Sequence, residues 1–303
     1  MRIATLLPSA TEIVSAIAPL DAIVAVSHEC DYPIEVSLRP RITSSIIPHG
    51  LSAAAIDEAV NQALQAGQAL YQVNGDLLAQ LKPDLIVTQG LCDVCAVNVD
   101  TLEATLHFLP DVLPEGSQIL SLSGRNFAGV LQDIERVGEA IGQTAKAAEV
   151  VANLRQRWRQ LKRTIPQTKP TVLMLEWPDP PFYAGHWVPE MVAIAGGVDI
   201  LGQAGQASKR CTWGEIAACD PDVIVAIACG QDLEHNIQLT QPLYNGSEFA
   251  SLRACQSDRV WAVDANSYFS RPAPRIVDGA ELLHQIFHHP SDDIPGARRV
   301  LKP

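Results

Sequence analysis

The sequence predicts an α/β protein of two Rossmann-like lobes with parallel sheets, joined by a single long backbone helix. Three observations predict it. Short, continuously apolar segments alternate with helical stretches in both halves, which is the pattern of parallel strands covered on both faces. Between the halves lies a stretch of helical periodicity without any strand signal. A helix–Pro-Asp–strand unit occurs twice, as LAQLKPDLIVTQG and EIAACDPDVIVAIACG, with Pro83 and Pro221 at matching positions. The organisation expected is an N-terminal lobe over 1–125, a linking helical region over 126–166 and a C-terminal lobe over 167–303.

Residues 2–7 form the first predicted strand. Ser9 and Glu12, three apart, have the spacing of a capping box, which predicts a helix over 12–17. Strands follow at 22–27 and near 41–43, then helices at 52–65 and 75–81, then strands at 85–88 and 118–123. From about 126 to 164 apolar residues recur in steps of three and four, from Leu131 to Leu161. Gly142 breaks this run and Thr144 is placed to cap its second piece. That piece, about 20 residues, would be roughly 30 Å long. Arg155, Arg157, Arg159, Lys162 and Arg163 crowd its end, where cations oppose the helix dipole. Strands are then expected at 171–177, 222–228 and 259–265, with helices at 189–195, 214–218 and 274–288. Cys219 and Cys229 flank an apolar strand and read as small core residues.

The bulk properties narrow the function classes. With 303 residues and 47% hydrophobic content, the chain can bury sizeable cores. A net charge of -12 repels phosphate backbones, so nucleic acid is excluded as a partner. No apolar run approaches the length of a membrane span. The opening MRIATLLPSATEIV lacks the pattern of a signal peptide, so the expected location is cytoplasmic. Seven cysteines, an odd number, speak against a fully paired disulfide framework. No G-x-S-x-G, Walker A or strand-linked G-x-G-x-x-G is present, so the chain reads as a binding protein and not an enzyme.

Ligands of open α/β sheets sit beyond the carboxyl ends of the strands, so four loops carry the functional reading. SHECDYP places Ser27, His28, Glu29, Cys30, Asp31 and Tyr32 directly after a strand. The bland alternative is a polar turn closed by Pro33. QGLCDVCAV holds Cys92 and Cys95 as a C-x-x-C, which can chelate a soft metal or exchange disulfides. Cys30, Cys92 and Cys95 with His28 would complete a tetrahedral zinc or iron site; the alternative is three unrelated thiols. EWPDPPFYAGHWVPEM gathers Trp177, Phe182, Tyr183, His186 and Trp187. In a chain with only 5% aromatic residues this clustering suits a flat, partly apolar ligand, and equally a hydrophobic plug. Four prolines are expected to keep that loop irregular. NSYFSRPAPR contributes Tyr268, Phe269 and Arg271, and Arg271 is suited to a ligand carboxylate or phosphate.

LLPSATEI, LKPDLIV, DPDVIV, the linking helix and AGGVDILG together resemble the helical-backbone periplasmic binding proteins, the substrate-binding family of cobalamin and iron–siderophore ABC transporters. The resemblance covers about residues 2–290. SHECDYP with Cys92 and Cys95 is similar to a subgroup labelled cobalamin-binding. The resemblance implies a monomer that holds a small metal-bearing ligand, such as a corrinoid, in a cleft between lobes. It implies that Trp177, Tyr183 and Trp187 pack on the macrocycle, with His186 or His28 approaching the cobalt. It also implies docking on an ABC permease through one acidic residue per lobe. Asp76 matches the first such position, whereas Gly214 holds the second and Glu215 lies one residue off. Two other expectations stand beside this one: direct binding of zinc or iron by the Cys/His set, and a thiol oxidoreductase using Cys92 and Cys95.

Overall fold

The computed structural model describes residues 1–48, 50–90, 97, 102, 113–163 and 165–302. The chain divides into two compact units, Met1–Gly124 with Ala128–Ala152, and Arg125–Phe127 with Asn153–Pro303.

The first unit runs β1 (Ile3–Thr5), α1 (Pro8–Ile17), β2 (Ile23–Val26), β3 (Thr43–Ser45), α2 (Ala53–Gln65), β4 (Tyr71–Val73), α3 (Gly75–Leu81), β5 (Leu85–Gln89) and β6 (Gln118–Leu122). Four of these strands form a parallel sheet in the order β2-β1-β5-β6, and β3 pairs antiparallel with β4. Its core joins Ala4, Leu6, Ala25, Ile42, Leu78 and Ile86. Two helices follow, α4 (Phe127–Ala140) and α5 (Thr144–Arg163). The 20 residues of α5 begin in the first unit and end in the second. Gly142, at φ 69°, supplies the left-handed break between α4 and α5. Thr144 is the first helical residue and not the cap.

The second unit continues with β7 (Thr171–Pro178), β8 (Pro181–Tyr183), α6 (Val188–Ile194), β9 (Val198–Asp199), β10 (Lys209–Arg210), α7 (Trp213–Cys219), β11 (Val223–Ala226), α8 (Leu233–Thr240), α9 (Ser247–Ala250), α10 (Arg253–Gln256), β12 (Val260–Val263), α11 (Ala265–Tyr268), α12 (Ile276–His288) and β13 (Ala297–Arg299). Its sheet is mixed. The strands β7, β11 and β12 are parallel, whereas β8 pairs antiparallel with β7, the edge strand β10 with β8, and the edge strand β13 with β12.

The two Pro-Asp motifs explain the internal repeat physically. Helix α3 ends at Lys82 (φ 44°) and α7 ends at Asp220 (φ 43°), both left-handed caps followed by proline. The next residue closes a reciprocal pair of hydrogen bonds with the start of the neighbouring strand. Arg2 N–H donates to Asp84 Oδ2 at 2.7 Å, and Asp84 N–H returns to Arg2 O at 2.8 Å. Thr171 N–H and its hydroxyl each donate to Asp222 Oδ2 at 2.8 Å, and Asp222 N–H returns to Thr171 O at 3.0 Å. Directly beyond each latch the parallel ladder begins, Ile3 opposite Leu85 and Val172 opposite Val223. A slip of one residue would turn every side chain to the wrong face, so the latch fixes which groups the strands deliver at their far ends.

Three expectations from the sequence need correction. Helix α1 starts at Pro8 with Leu7 as its uncapped N-cap residue. Ser9 and Glu12 form no capping box, and both are buried, because proline takes the first helical position. The loop after β7 is not irregular. Residues Pro178 and Pro181 face each other across a hairpin of β7 and β8, since prolines are tolerated at the end of an edge pairing. Cys219 and Cys229 are exposed, whereas Cys30, Cys211 and Cys255 are buried.

Two outcomes test these packing arguments. Burial alone would raise the Asp222 carboxyl, but the Thr171 bonds, with Arg253 and Arg259 nearby, hold it below its ordinary value. Its stabilisation is therefore present above about pH 4 and lost as pH falls further. Asp222→Ala should cost about 1–3 kcal/mol in urea unfolding at neutral pH and flatten the acid limb of stability. A midpoint equal to that of a surface control would refute the latch. The second outcome concerns α12. Carbonyls only accept, so His284 Nδ1 (3.1 Å) and His288 Nε2 (3.0 Å) both donate to Ala195 O. Burial lowers the His288 pKa, and His284, His289 and Arg259 oppose its charge further. A histidine held neutral loses its contribution as pH falls below about 6.5. Thermal midpoints should drop between pH 7 and 5, and His288→Gln should reduce that slope.

Candidate ligand site at the strand ends

In the first unit, the loop after β2 is fixed from beneath by Arg41 and Thr43. Arg41 Nη1 donates to the carbonyls of Ser27 (2.8 Å) and Cys30 (2.5 Å), which closes the turn. The Thr43 hydroxyl donates to Ser27 Oγ at 3.1 Å and receives His28 N–H at 3.0 Å. His28 Nδ1 lies 2.7 Å from the same hydroxyl. The Thr43 hydroxyl thus meets both Ser27 Oγ and the His28 ring. His28 Nε2 lies 3.9 Å from Glu29 Oε1, and the ring tilts against Tyr71 at 5.8 Å.

The side chains of this loop separate by direction of burial. Ser27 is buried, His28 is partly exposed, and Glu29, Asp31 and Tyr32 are exposed. Cys30 is only 1% exposed, and its sulfur lies 3.0 Å from Thr11 Oγ1, which in turn meets Thr5 Oγ1 at 2.6 Å. Cys30 thus occupies the core. Cys92 and Cys95 lie outside the described residues, so the expected thiol set has only Cys30 among those described. Among the described residues no group of three or more His, Cys, Asp or Glu is arranged to hold a metal ion.

In the second unit, the hairpin of β7 and β8 leads into a clamped segment. Gly185 passes so close to residues 206–208 that a Cβ would lie 2.3 Å from Gln206 O. Its N–H donates to Ser208 Oγ at 3.1 Å, and Ser208 donates to Glu176 Oε2 at 2.7 Å. His186 follows at φ 54°, a left-handed conformation that costs a non-glycine residue about 1 kcal/mol or more. Its N–H donates to Gln206 O at 2.5 Å and its carbonyl accepts from Gly205 N–H at 2.8 Å. The imidazole is partly exposed and lies 5.6 Å from the Trp187 ring. Burial, then the charge of Arg125, lower the His186 pKa, so the ring is neutral at physiological pH.

Of the two readings open for the aromatic segment, Trp187 fits the hydrophobic plug. It is 7% exposed, and its indole N–H donates to Phe269 O at 2.8 Å. An indole dipole needs a partner once buried, and this one ties the segment after β8 to the segment after β12. Trp177 is half-buried, across from Phe182, while Tyr183, across from Leu175, packs against the core of this unit. Arg271 is 5% exposed and donates to Asn266 Oδ1 at 2.8 Å, so its guanidinium is anchored within its own loop. The loop after β11 joins the same end of the sheet. Gly230 N–H donates to Ser270 Oγ at 3.0 Å, Asn266 N–H to Gln231 O at 3.0 Å, and buried Asn236 bridges Ala228 N–H and Val263 O. Sequence reasoning missed Gly185, Ser208, Glu176, Asn236 and Arg125. Only Gly185, immediately before a histidine, carried a signal.

Comparison with known proteins agrees with this architecture. Residues 3–266 match the family model described as periplasmic binding protein. The vitamin B12-binding protein of Vibrio cholerae is 25% identical over 287 residues, which cover 92% of this chain and 86% of that protein. An uncharacterised ABC transporter substrate-binding lipoprotein of Bacillus subtilis, YvrC, is 21% identical over 295 residues, with coverage of 93% and 78%. The crystal structure of a periplasmic heme-binding protein from Pseudomonas aeruginosa superposes with a TM-score of 0.71 at 17% identity, covering 99% of this chain and 97% of that one. The expected cytoplasmic location is overturned, because the matched family is periplasmic and the Bacillus relative is a lipoprotein. Among the described residues no helix is long and apolar enough to cross a membrane. With a family match spanning most of its length and relatives aligned over most of theirs, the chain belongs to the periplasmic binding protein family and, within it, to the helical-backbone group.

Proposed function

We propose that this protein is the substrate-binding component of an ABC transporter and that its ligand is a metal chelate, with a corrinoid as first choice. One observation carries the reading. The Trp187–Phe269 bond gathers the aromatic, histidine-bearing segment after β8 and the Arg271 loop at the carboxyl end of one sheet, where ligands of such sheets bind. The vitamin B12-binding relative, aligned over 92% of this chain, supports a corrinoid over other chelates. On this reading Trp177 and the edge of Tyr183 offer apolar contact, and His186 faces the ligand from a fixed backbone. The loop of His28, Glu29 and Tyr32, at the strand ends of the first unit, is a separate candidate for polar ligand contacts. No bond is made or broken in the ligand's framework, so the activity is binding and release.

Docking on a permease is proposed through the first turns of α3 and α7. Asp76 stands in the first turn of α3. Glu215 stands in that of α7, where it closes a capping box with Thr212 and its carboxyl is held low by those bonds. Direct zinc or iron binding is a second reading, favoured by the approach of His28 Nε2 to Glu29 Oε1 at 3.9 Å. Metal analysis of the protein as purified tests it; a stoichiometric metal that is lost in His28→Ala is the supporting result.

Equilibrium dialysis against aquocobalamin, haemin and a ferric siderophore tests the main reading. Tightest retention of aquocobalamin is expected, and no retention of any of the three at micromolar levels would end it. Gly185→Ala tests the clamp. The added methyl forces the 184–187 and 206–208 segments apart at a cost of about 1–3 kcal/mol, and corrinoid affinity should fall at least as steeply as in Trp177→Ala. An unchanged affinity would separate the clamp from the site.

A further inference from the structure

We propose that the end of α12 and the end of α6 hold a divalent first-row transition ion between His284, His288 and the carbonyl of Ala195. These groups belong to none of the strand-end loops, and the inference does not depend on the corrinoid reading. Three observations lead to it. First, two imidazoles converge on one oxygen. His284 Nδ1 lies 3.1 Å and His288 Nε2 3.0 Å from Ala195 O. Donors at neighbouring corners of one ion, with bonds of about 2.1 Å at right angles, stand about 3 Å apart. Second, the rings are spaced for a shared ion. Residues four apart on a helix share one face, and these two ring centres are 4.9 Å apart. Two imidazoles on one such ion have their centres roughly 5 Å apart. Third, the fold leaves the nitrogens room and keeps them within reach. Gly196 follows Ala195 at φ 89°, and a Cβ there would lie 2.6 Å from His288 Nε2. Both histidines are partly exposed.

Side chains supply two donors, Ala195 O a third and water the rest. That set suits an ion that favours imidazole, such as nickel or zinc, over magnesium or calcium, which favour oxygen alone. His288 is the last residue of α12, so the ion meets the negative end of that helix. Arg259 works against it. Its Nη2 donates to Phe287 O at 3.4 Å, and its charge competes for the same helix end. His289 is exposed, with its ring centre 5.9 Å from that of His284, and is not among the donors. The exchange balances. Each neutral ring carries one proton, on the nitrogen facing Ala195 O. That proton passes through solvent to the other ring nitrogen, and the lone pair left behind binds the ion. One metal-bound water leaves, with its own electron pair, for each donor that binds. No proton is released overall, and no oxidation state changes. The loaded site staples the end of α12 to the residue that closes α6.

The test uses the full chain without a histidine tag, titrated with nickel(II), zinc(II) and magnesium(II) by calorimetry and followed by thermal unfolding. Nickel and zinc should each bind at one ion per chain, and magnesium should not bind. At about a hundredfold excess over Kd the unfolding midpoint should rise by about 5 °C. His284→Gln and His288→Gln keep a donor for Ala195 O but lose the imidazole lone pair. Each should fold, weaken nickel binding at least tenfold and lose the rise in midpoint. His289→Gln and His235→Gln should match wild type. His28→Ala should match it as well, which separates this site from metal binding at the loop after β2. Nickel affinity unchanged in both His284→Gln and His288→Gln, nickel binding lost in His28→Ala, or no nickel or zinc bound at millimolar concentration would each overturn the site. All three outcomes leave the corrinoid reading standing, since that is decided by dialysis against the chelates.

Discussion

Everything the strands deliver at their carboxyl ends depends on the Pro-Asp latch at their amino ends. A parallel strand enters the sheet with unpaired groups, and nothing within the ladder itself forbids a shift by one residue. The aspartate after the proline supplies both an acceptor and a donor to the neighbouring strand at that entrance. The left-handed cap before the proline, Lys82 or Asp220, turns the chain out of the helix. Proline then prevents the helix from continuing. The same device appears in both units, so the internal repeat is a repeat of register control and not merely of composition. Tyr183, Glu176 and Trp177 lie where they do because Val172 is held opposite Val223.

The second unit spends stability at its other end. His186 sits in a strained conformation and Gly185 passes against the backbone of 206–208 with no space for a side chain. Such an arrangement persists only when several independent contacts over-determine it. Here these are the two backbone bonds of His186, the Ser208–Glu176 pair, and the Trp187 anchor on Phe269. The contacts come from the 205–208 segment, from β7 and from the segment after β12, and each is polar. The loops are therefore rigid without being part of the hydrophobic core. On the proposed reading, segments held in this way lose little conformational entropy when a stiff, planar ligand binds.

Much of the scaffold was legible in the sequence, and the reason is period. Apolar runs such as LIVT and the three-and-four spacing of α4 and α5 are local signals, and helix α3 appears where its pattern placed it. What failed depended on contacts far along the chain. The Ser9–Glu12 spacing looked like a cap, but Pro8 starts the helix one turn earlier. The outer strands β10 and β13 and the neighbouring β8 are two or three residues long, too short for alternation to show. Of the site, the loops were legible and the orientation of their side chains was not. The thiol of Cys30 and the indole of Trp187 both lie in loops rich in chemistry, yet tertiary packing turns each inward. His186 was legible as a candidate. Its strain was not, because φ 54° is imposed by residues 205 and 206, some twenty positions away.

The distribution of donors also bears on the kind of metal partner that fits the proposed reading. A bare zinc or ferrous ion needs four or more protein or water donors in a closed geometry. A chelated ion brings its own equatorial set, and the protein then needs apolar surface, a few polar contacts and at most one axial base. The second unit offers a partly buried imidazole on a fixed backbone, half-buried aromatic rings and an anchored guanidinium. Its buried thiols, Cys211 and Cys255, have their pKa values pushed up to about 11 and about 12 by burial. Thiols kept protonated are poor metal ligands. On the proposed reading neither of these two thiols is a donor to a bare soft metal, whereas a metal already enclosed by its chelate needs none.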